Sequence, residues 1–217
     1  MKLGSRELKA VGFSAVLILL NVFLMMAFAT VEPLMNVFDL VWEYLILGVI
    51  AYAVLLMGGA YIAKRGIRNS QIGLATLGTL LLQFAYGTFG AGIIHRATPE
   101  NQALVLGITG IITTLIAVVA ALYVYWTDRD LRFTGTYSNY AFIGVFIFAF
   151  AGTFIPVLAL PGFLLALIGF LFYLIYEIWE MKTTTKDYKL AGMEIYIAYA
   201  GVFIHILQIV ARQYLER

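Results

Sequence analysis

A single-domain, all-α integral membrane protein, built as a bundle of seven transmembrane helices over residues 1–217, is the fold this sequence predicts. Three observations predict it. Of the 217 residues, 63% are hydrophobic and 12% charged, against about 25% charged in an ordinary soluble domain, and mean hydropathy is +0.94. The chain divides into seven apolar runs near the ~20 residues that a helix needs to cross a bilayer. Basic residues fall almost wholly in alternate connections between those runs.

The first run, 11–29, follows Lys2, Arg6 and Lys9. It closes on Ala27-Phe28-Ala29, a pattern that also ends signal peptides, but it is longer than the usual apolar region of such a leader and reads as a span. TVEPLMN separates it from the second run, 39–63, which stops at KRGIRNS. The third, 71–94, contains Tyr86-Gly87-Thr88-Phe89-Gly90-Ala91-Gly92, a stripe of small residues suited to close helix packing or to a thin pore wall. HRATPEN leads to the fourth run, 103–126, and TDRDLRFTGTY to the fifth, 138–156. A proline-bounded bend at 156–161 precedes the sixth, 159–181, and KTTTKDYK precedes the last, 190–211. No connection is long enough to hold a soluble domain, and there is no internal repeat.

Lysine and arginine concentrate on the cytoplasmic side of membrane proteins. Here the connections before span one and after spans two, four and six hold eleven of the fourteen basic residues; only Arg96, Arg212 and Arg217 fall on the other side. The amino end is expected in the cytoplasm and the carboxyl end outside. A net charge of +2, dispersed along the chain, gives no nucleic-acid footprint, and the lack of cysteine excludes thiol chemistry.

Several chemistries are missing. A retinal Schiff base requires a mid-span lysine in the last helix, and every lysine here sits at a span end or in a loop. His95 and His205 lie in different spans, so there is no H-E-x-x-H zinc helix, and neither a nucleophile elbow nor a phosphate-cradling loop occurs. A non-enzymatic protein without a cofactor is expected.

The acidic residues carry the remaining signal. Glu32, Asp39 and Glu43 form an acidic rim at the outer end of span two, or an ion-attracting mouth. Glu177, Glu180 and Glu194 flank the last hairpin. Glu177 lies five residues before Lys182 and Glu194 five after Lys189, so at 1.5 Å per residue each sits roughly 7–8 Å inside the cytoplasmic boundary. An antiparallel hairpin brings equal depths together, and Glu180 follows one turn nearer to water on the face of Glu177. Glutamates at this depth either reach the interface or pair with Lys64, Arg65, Lys182 or Lys189. Alternatively, two carboxylates in low dielectric resist ionising together and share a proton. Deprotonated, the pair offers the hard oxygen ligands that Ca²⁺ takes; protonated, it locks two helices. Coupling of this kind requires a separation below about 8 Å, roughly one Debye length. His205, in the middle of the last span, is an interhelical hydrogen-bonding group or a second proton sensor.

Three ordered motifs resemble those of the transmembrane Bax-inhibitor-motif family. Thr127-Asp128-Arg129-Asp130-Leu131-Arg132-Phe133 is similar to its T-x-x-D-L/F-S loop, Ile175-Tyr176-Glu177 to its L-Y-D, and Ile195-Tyr196-Ile197-Ala198 with Val202-Phe203-Ile204-His205-Ile206-Leu207 to its last span. The resemblance implies a seven-helix bundle with a central last-span hairpin, acting as a pH-sensitive calcium leak. It also implies an acid in each of the last two spans and a basic partner at the inner end of span two. The first acid falls on Glu177, the base on Lys64 or Arg65, and the second acid on Ala198, which has no carboxyl. A branch of the family with the same gap is associated with a membrane-bound AAA protease. Glu194, one helical turn before Ala198, restores a carboxylate on that face. The expected function is thus a cation leak, calcium being the transported ion, gated by Glu177 and Glu194 with Glu180, Lys64 or Arg65, and His205. The alternative is a non-conducting regulator of a membrane protease or other integral protein.

Overall fold

The structure, a computed structural model, describes residues 4–43 and 45–215; side chains at 41–51, 53 and 215 are outside that description. Lys2, Glu216, Arg217 and the Glu43 side chain therefore lie outside the described residues. The regular elements of the described chain are all helical: α1 (Ser5–Ala29), α2 (Glu32–Glu43), α3 (Leu45–Arg68), α4 (Ile72–His95), α5 (Pro99–Trp126), α6 (Arg132–Gly152), a 3₁₀ turn at Pro156–Leu158, α7 (Ala159–Thr183) and α8 (Tyr188–Leu215). Six of these helices, α1 and α4–α8, are long and apolar enough to cross a membrane.

Helix ends follow local chemistry. α1 begins six residues before the predicted span because the Glu7 carboxylate accepts the Gly4 N–H at 2.7 Å, which satisfies an otherwise open donor. α5 starts early at Pro99, whose missing N–H costs nothing in a first turn. α3 closes on Ser70 at φ 55°, with Gln71 N–H donating to Gly66 at 2.7 Å, a left-handed cap. The predicted second span, 39–63, divides differently: its first residues belong to α2, which starts in the preceding connection. That twelve-residue helix is too short to span. It buries Met35 while Glu32 and Asp39 stay exposed, as an acidic rim requires.

Packing sorts the helices by burial. The apolar window of α8 is 94% buried and that of α4 61%, against 11% for α6. α8 runs through the centre, with α1, α4, α5 and α7 around it; α6 packs outside against α7, and α3 against α4. The central hairpin expected from the sequence narrows to one central helix. Small residues explain which one. Gly201 of α8 lies so close to the Phe170 ring of α7 that any side chain would overlap it, and Gly78 of α4 meets the backbone of Ala63 in α3 in the same way. The glycine run of α4 packs likewise, with Gly90 on Met25 and Gly92 on Phe38. Buried amides reinforce this contact: Asn21 donates to the Gln83 carbonyl at 3.0 Å, and the Gln83 side chain donates to the Leu17 carbonyl at 2.8 Å.

Candidate functional site

α3, α5 and α7 end where α1, α4, α6 and α8 begin, and this basic end of the bundle gathers Arg6, Lys64, Arg68, Arg132, Lys182 and Lys186 at the α7–α8 connection or the cavity beside it. Arg6 donates to the Met181 and Lys186 carbonyls, and Lys182 to the Val124 and Thr127 carbonyls at 3.0 and 3.2 Å. These bonds fasten the α7–α8 connection to α1 and α5, satisfying terminal carbonyls that α5 and α7 leave open.

Beside the connection lies a cavity of about 630 Å³, walled by α3, α6, α7 and α8. Glu177 and Glu180 enter it from α7 and Glu194 from α8, with Lys64 and Arg68 opposite on α3 and Arg132 on α6. Each glutamate places a carboxylate oxygen within 4.8 Å of the other two, inside the ~8 Å limit for coupling. Glu177 and Glu194 are buried, at 4% and 9% exposure, and Glu180 is half-buried. The i,i+3 spacing of Glu177 and Glu180 and the equal depth of Glu194 produce the cluster, as the hairpin register requires.

Its counter-charge comes from a residue that sequence reasoning passed over. The Lys186 ammonium, carried by the connection, lies 3.0 Å from both Glu194 oxygens and 2.9 Å from a Glu180 oxygen. Burial opposes its charge, but Glu194 and Glu180 outweigh that and hold the ammonium above its ordinary value. Lys186 is the middle cation of KTTTKDYK, where loop lysines read as topology signals; the clue was its position between two helix ends that each carry acids. Lys64 lies 4.5 Å from the Tyr173 ring centroid and lines the cavity, whereas Arg65 turns outward to the Tyr61 hydroxyl at 3.4 Å. The choice between them thus falls on Lys64. Arg132 is engaged by Asp130 at 2.7 Å, and this bond holds the exposed Asp130 carboxyl below the usual carboxylate range.

Glu177 differs from its neighbours because its Oε2 has no hydrogen-bond partner. The Tyr173 hydroxyl one turn away interacts with this carboxylate without meeting hydrogen-bond geometry. Ala198 is fully buried in the core one turn beyond Glu194. His205 stands apart from the cluster, eleven residues or roughly 16 Å further along α8. Its Nδ1 contacts the Gly201 carbonyl at 2.7 Å, between the rings of Phe163 and Phe170.

The cluster offers hard oxygen ligands of the kind that Ca²⁺ takes. Three carboxylate oxygens within 4.8 Å fit around a Ca²⁺ ion, whose oxygen ligands sit at 2.3–2.6 Å, with only slight contraction. The Lys186 ammonium pairs with two of the three acids, its single positive charge shared between them. Comparison with known proteins places the chain. No curated protein and no solved structure matches it. The family described as "Inhibitor of apoptosis-promoting Bax1" matches residues 9–214, nearly its full length, and this all-helical membrane protein therefore belongs to the Bax inhibitor family.

Proposed function

We propose that the protein is a pH-sensitive cation leak, with calcium as the transported ion, whose gate is the carboxylate cluster at the basic end. The observation that carries this reading is the convergence of Glu177, Glu180 and Glu194 in an open cavity, with one glutamate oxygen unpartnered and a cation from the α7–α8 connection, Lys186, among the acids. The groups facing Glu177 are Glu194 on α8, Glu180 and Tyr173 on α7 and Lys64 on α3. With so much negative charge nearby, Glu177 and Glu194 share a proton, and its loss adds one charge to the cluster. An entering Ca²⁺ competes with Lys186 for the same oxygens, so displacement of the α7–α8 connection accompanies ion entry.

In this reading α3 supplies the seventh crossing: its 24 residues, about 36 Å long, exceed the ~30 Å hydrocarbon core. The basic end faces the cytoplasm, following the placement of lysine and arginine. The role is non-enzymatic and needs no cofactor.

One observation favours a second reading. Ala198 leaves α8 without an acid at the motif position, and Lys186 compensates Glu180 and Glu194 as a structural ion pair would. On that reading the protein is a non-conducting partner of a membrane-bound AAA protease or another integral protein. Reconstitution in liposomes with a trapped Ca²⁺ indicator, read between pH 6 and 8, separates the two. Ca²⁺ entry that varies with pH supports the leak; absence of flux at every pH refutes it and leaves the regulator.

A further inference from the structure

α1 and α5 both pack on α8 without a substantial contact between them, and the gap they leave is a groove of about 510 Å³. Leu174 and Ile178 of α7 and Ile195 of α8 line its floor and are buried, whereas Leu19 of α1 and Val118 of α5 stand exposed at its rims. Small side chains keep it open: Ser14 and Ala15 on α1, Ala117 and Ala121 on α5. The groove shares only α7 and α8 with the glutamate cavity, whose other walls are α3 and α6.

Its length matches one leaflet. On α5 the lining residues run from Thr114 to Tyr125, and on α1 from Val11 to Leu19. At 1.5 Å per residue the longer run covers roughly 17 Å, about half of the ~30 Å hydrocarbon core. The groove thus belongs to the basic-end half of the bundle, and at mid-depth the Thr114 and Tyr199 hydroxyls meet at 3.0 Å across its end. A transmembrane helix would need a seat over the whole core, whereas an acyl chain needs one leaflet. An unfilled slot also forfeits the dispersion contacts of its walls, so an apolar occupant of this length is favoured.

Two cations bracket the mouth at the basic end. Arg6 of α1 donates to the carbonyl of Met181, a lining residue, and Lys182 of α7 lies 5.6 Å from the ring centroid of Tyr125, another. Both donate to backbone carbonyls, and among the described residues neither stands at ion-pair distance from a carboxylate. Carbonyls satisfy the donors and leave the charge uncompensated. Glu7, beside Arg6 in α1, accepts the Gly4 N–H, so the mouth carries two cations to one acid. Basic pockets between membrane helices take anionic lipid head groups. We propose that the α1–α5 groove seats an anionic phospholipid of the basic-end leaflet, with one acyl chain along Leu174, Ile178 and Ile195 and the phosphate between Arg6 and Lys182. The seat does not depend on the leak reading.

Native mass spectrometry of the purified full-length protein in detergent, titrated with phosphatidylglycerol or with phosphatidylcholine of the same chains, tests the seat. The unaltered protein should bind its first phosphatidylglycerol about tenfold more tightly, the order that two basic contacts supply; equal affinity for the two lipids overturns the proposal. Arg6→Gln and Lys182→Gln keep an amide donor for the carbonyls and should each lower the preference several-fold, whereas Lys182→Arg should retain it. Ala121→Phe fills the groove without altering a charge and should abolish the preferred site. A full preference in folded Ala121→Phe protein places the lipid elsewhere and overturns the groove assignment, even where the arginine and lysine variants fail to fold. A second polypeptide that stays bound to membrane-extracted protein, is released by Ala121→Phe and is not displaced by phosphatidylglycerol overturns it in favour of a partner helix.

Discussion

The two ends of the bundle solve opposite problems with the same helices. At the basic end, three glutamates share a cavity of about 630 Å³ with Lys64, Arg68, Arg132 and Lys186, and Lys186 pairs with two of them. At the other end, a cavity of about 320 Å³ is walled by Phe38, Phe89 and glycine, and its charged lining residues are Arg96 and Arg212. The first cavity mixes acids and bases; the second is lined by aromatic and apolar side chains with two arginines. The difference teaches where the buried carboxylates gather: all three line the cavity at the basic end, and none lines the other.

The largest expected effect comes from breaking the charge balance at the basic end. Lys186→Met strands Glu180 and Glu194 in a half-buried site and should lower unfolding stability by about 2 kcal/mol, less than for a fully dry pair because Lys186 keeps some water. Adding Glu194→Gln should restore most of that loss, since the stranded charge is gone. Both are read by denaturant unfolding in detergent micelles.

A smaller effect is expected at the opposite end, where the tested contact is a single hydrogen bond. His95 Nδ1 lies 3.1 Å from the Ala29 carbonyl, tying α4 to α1, and His95→Ala should cost about 1 kcal/mol in the same assay. Smaller still is the contrast between neighbours on α3. Lys64→Met removes a cation above the Tyr173 ring and should cost about 0.5–1 kcal/mol. Arg65→Met, on the exposed face, should change stability by less than about 0.5 kcal/mol.

The Lys186 tie also sets a pH window. Its folded-state value lies above the ordinary 10.5. Its contribution to stability is therefore fully present below that value and is lost as pH rises through the folded value. Thermal unfolding between pH 9 and 11.5 should show a steeper loss in the unaltered protein than in Lys186→Met.

Much of this contrast was legible in the residues. Composition and hydropathy gave an all-α membrane bundle, and equal depth in an antiparallel hairpin brought Glu177, Glu180 and Glu194 to one place. What stayed hidden depended on rotation and on loops. Hydropathy has no phase in a helix that is apolar all round, so the choice of Lys64 over Arg65 and the central position of α8 required packing. Lys186 acts from a connection whose path no periodicity describes. α2 hid inside the second span because its acidic face is short. His205 looked like a sensor because it is mid-span and titratable; its distance along α8 from the glutamates, and the rings on either side, became visible only with the fold.

The central claim is that Glu177 and Glu194 gate a cation path at the basic end. Its most direct test is the pH profile of Ca²⁺ flux, between pH 6 and 8, in liposomes holding the unaltered protein, Glu177→Gln or Glu194→Gln. The account predicts a pH-dependent flux in the unaltered protein and a flat profile in both variants. A profile that keeps its shape and midpoint in both variants would contradict it.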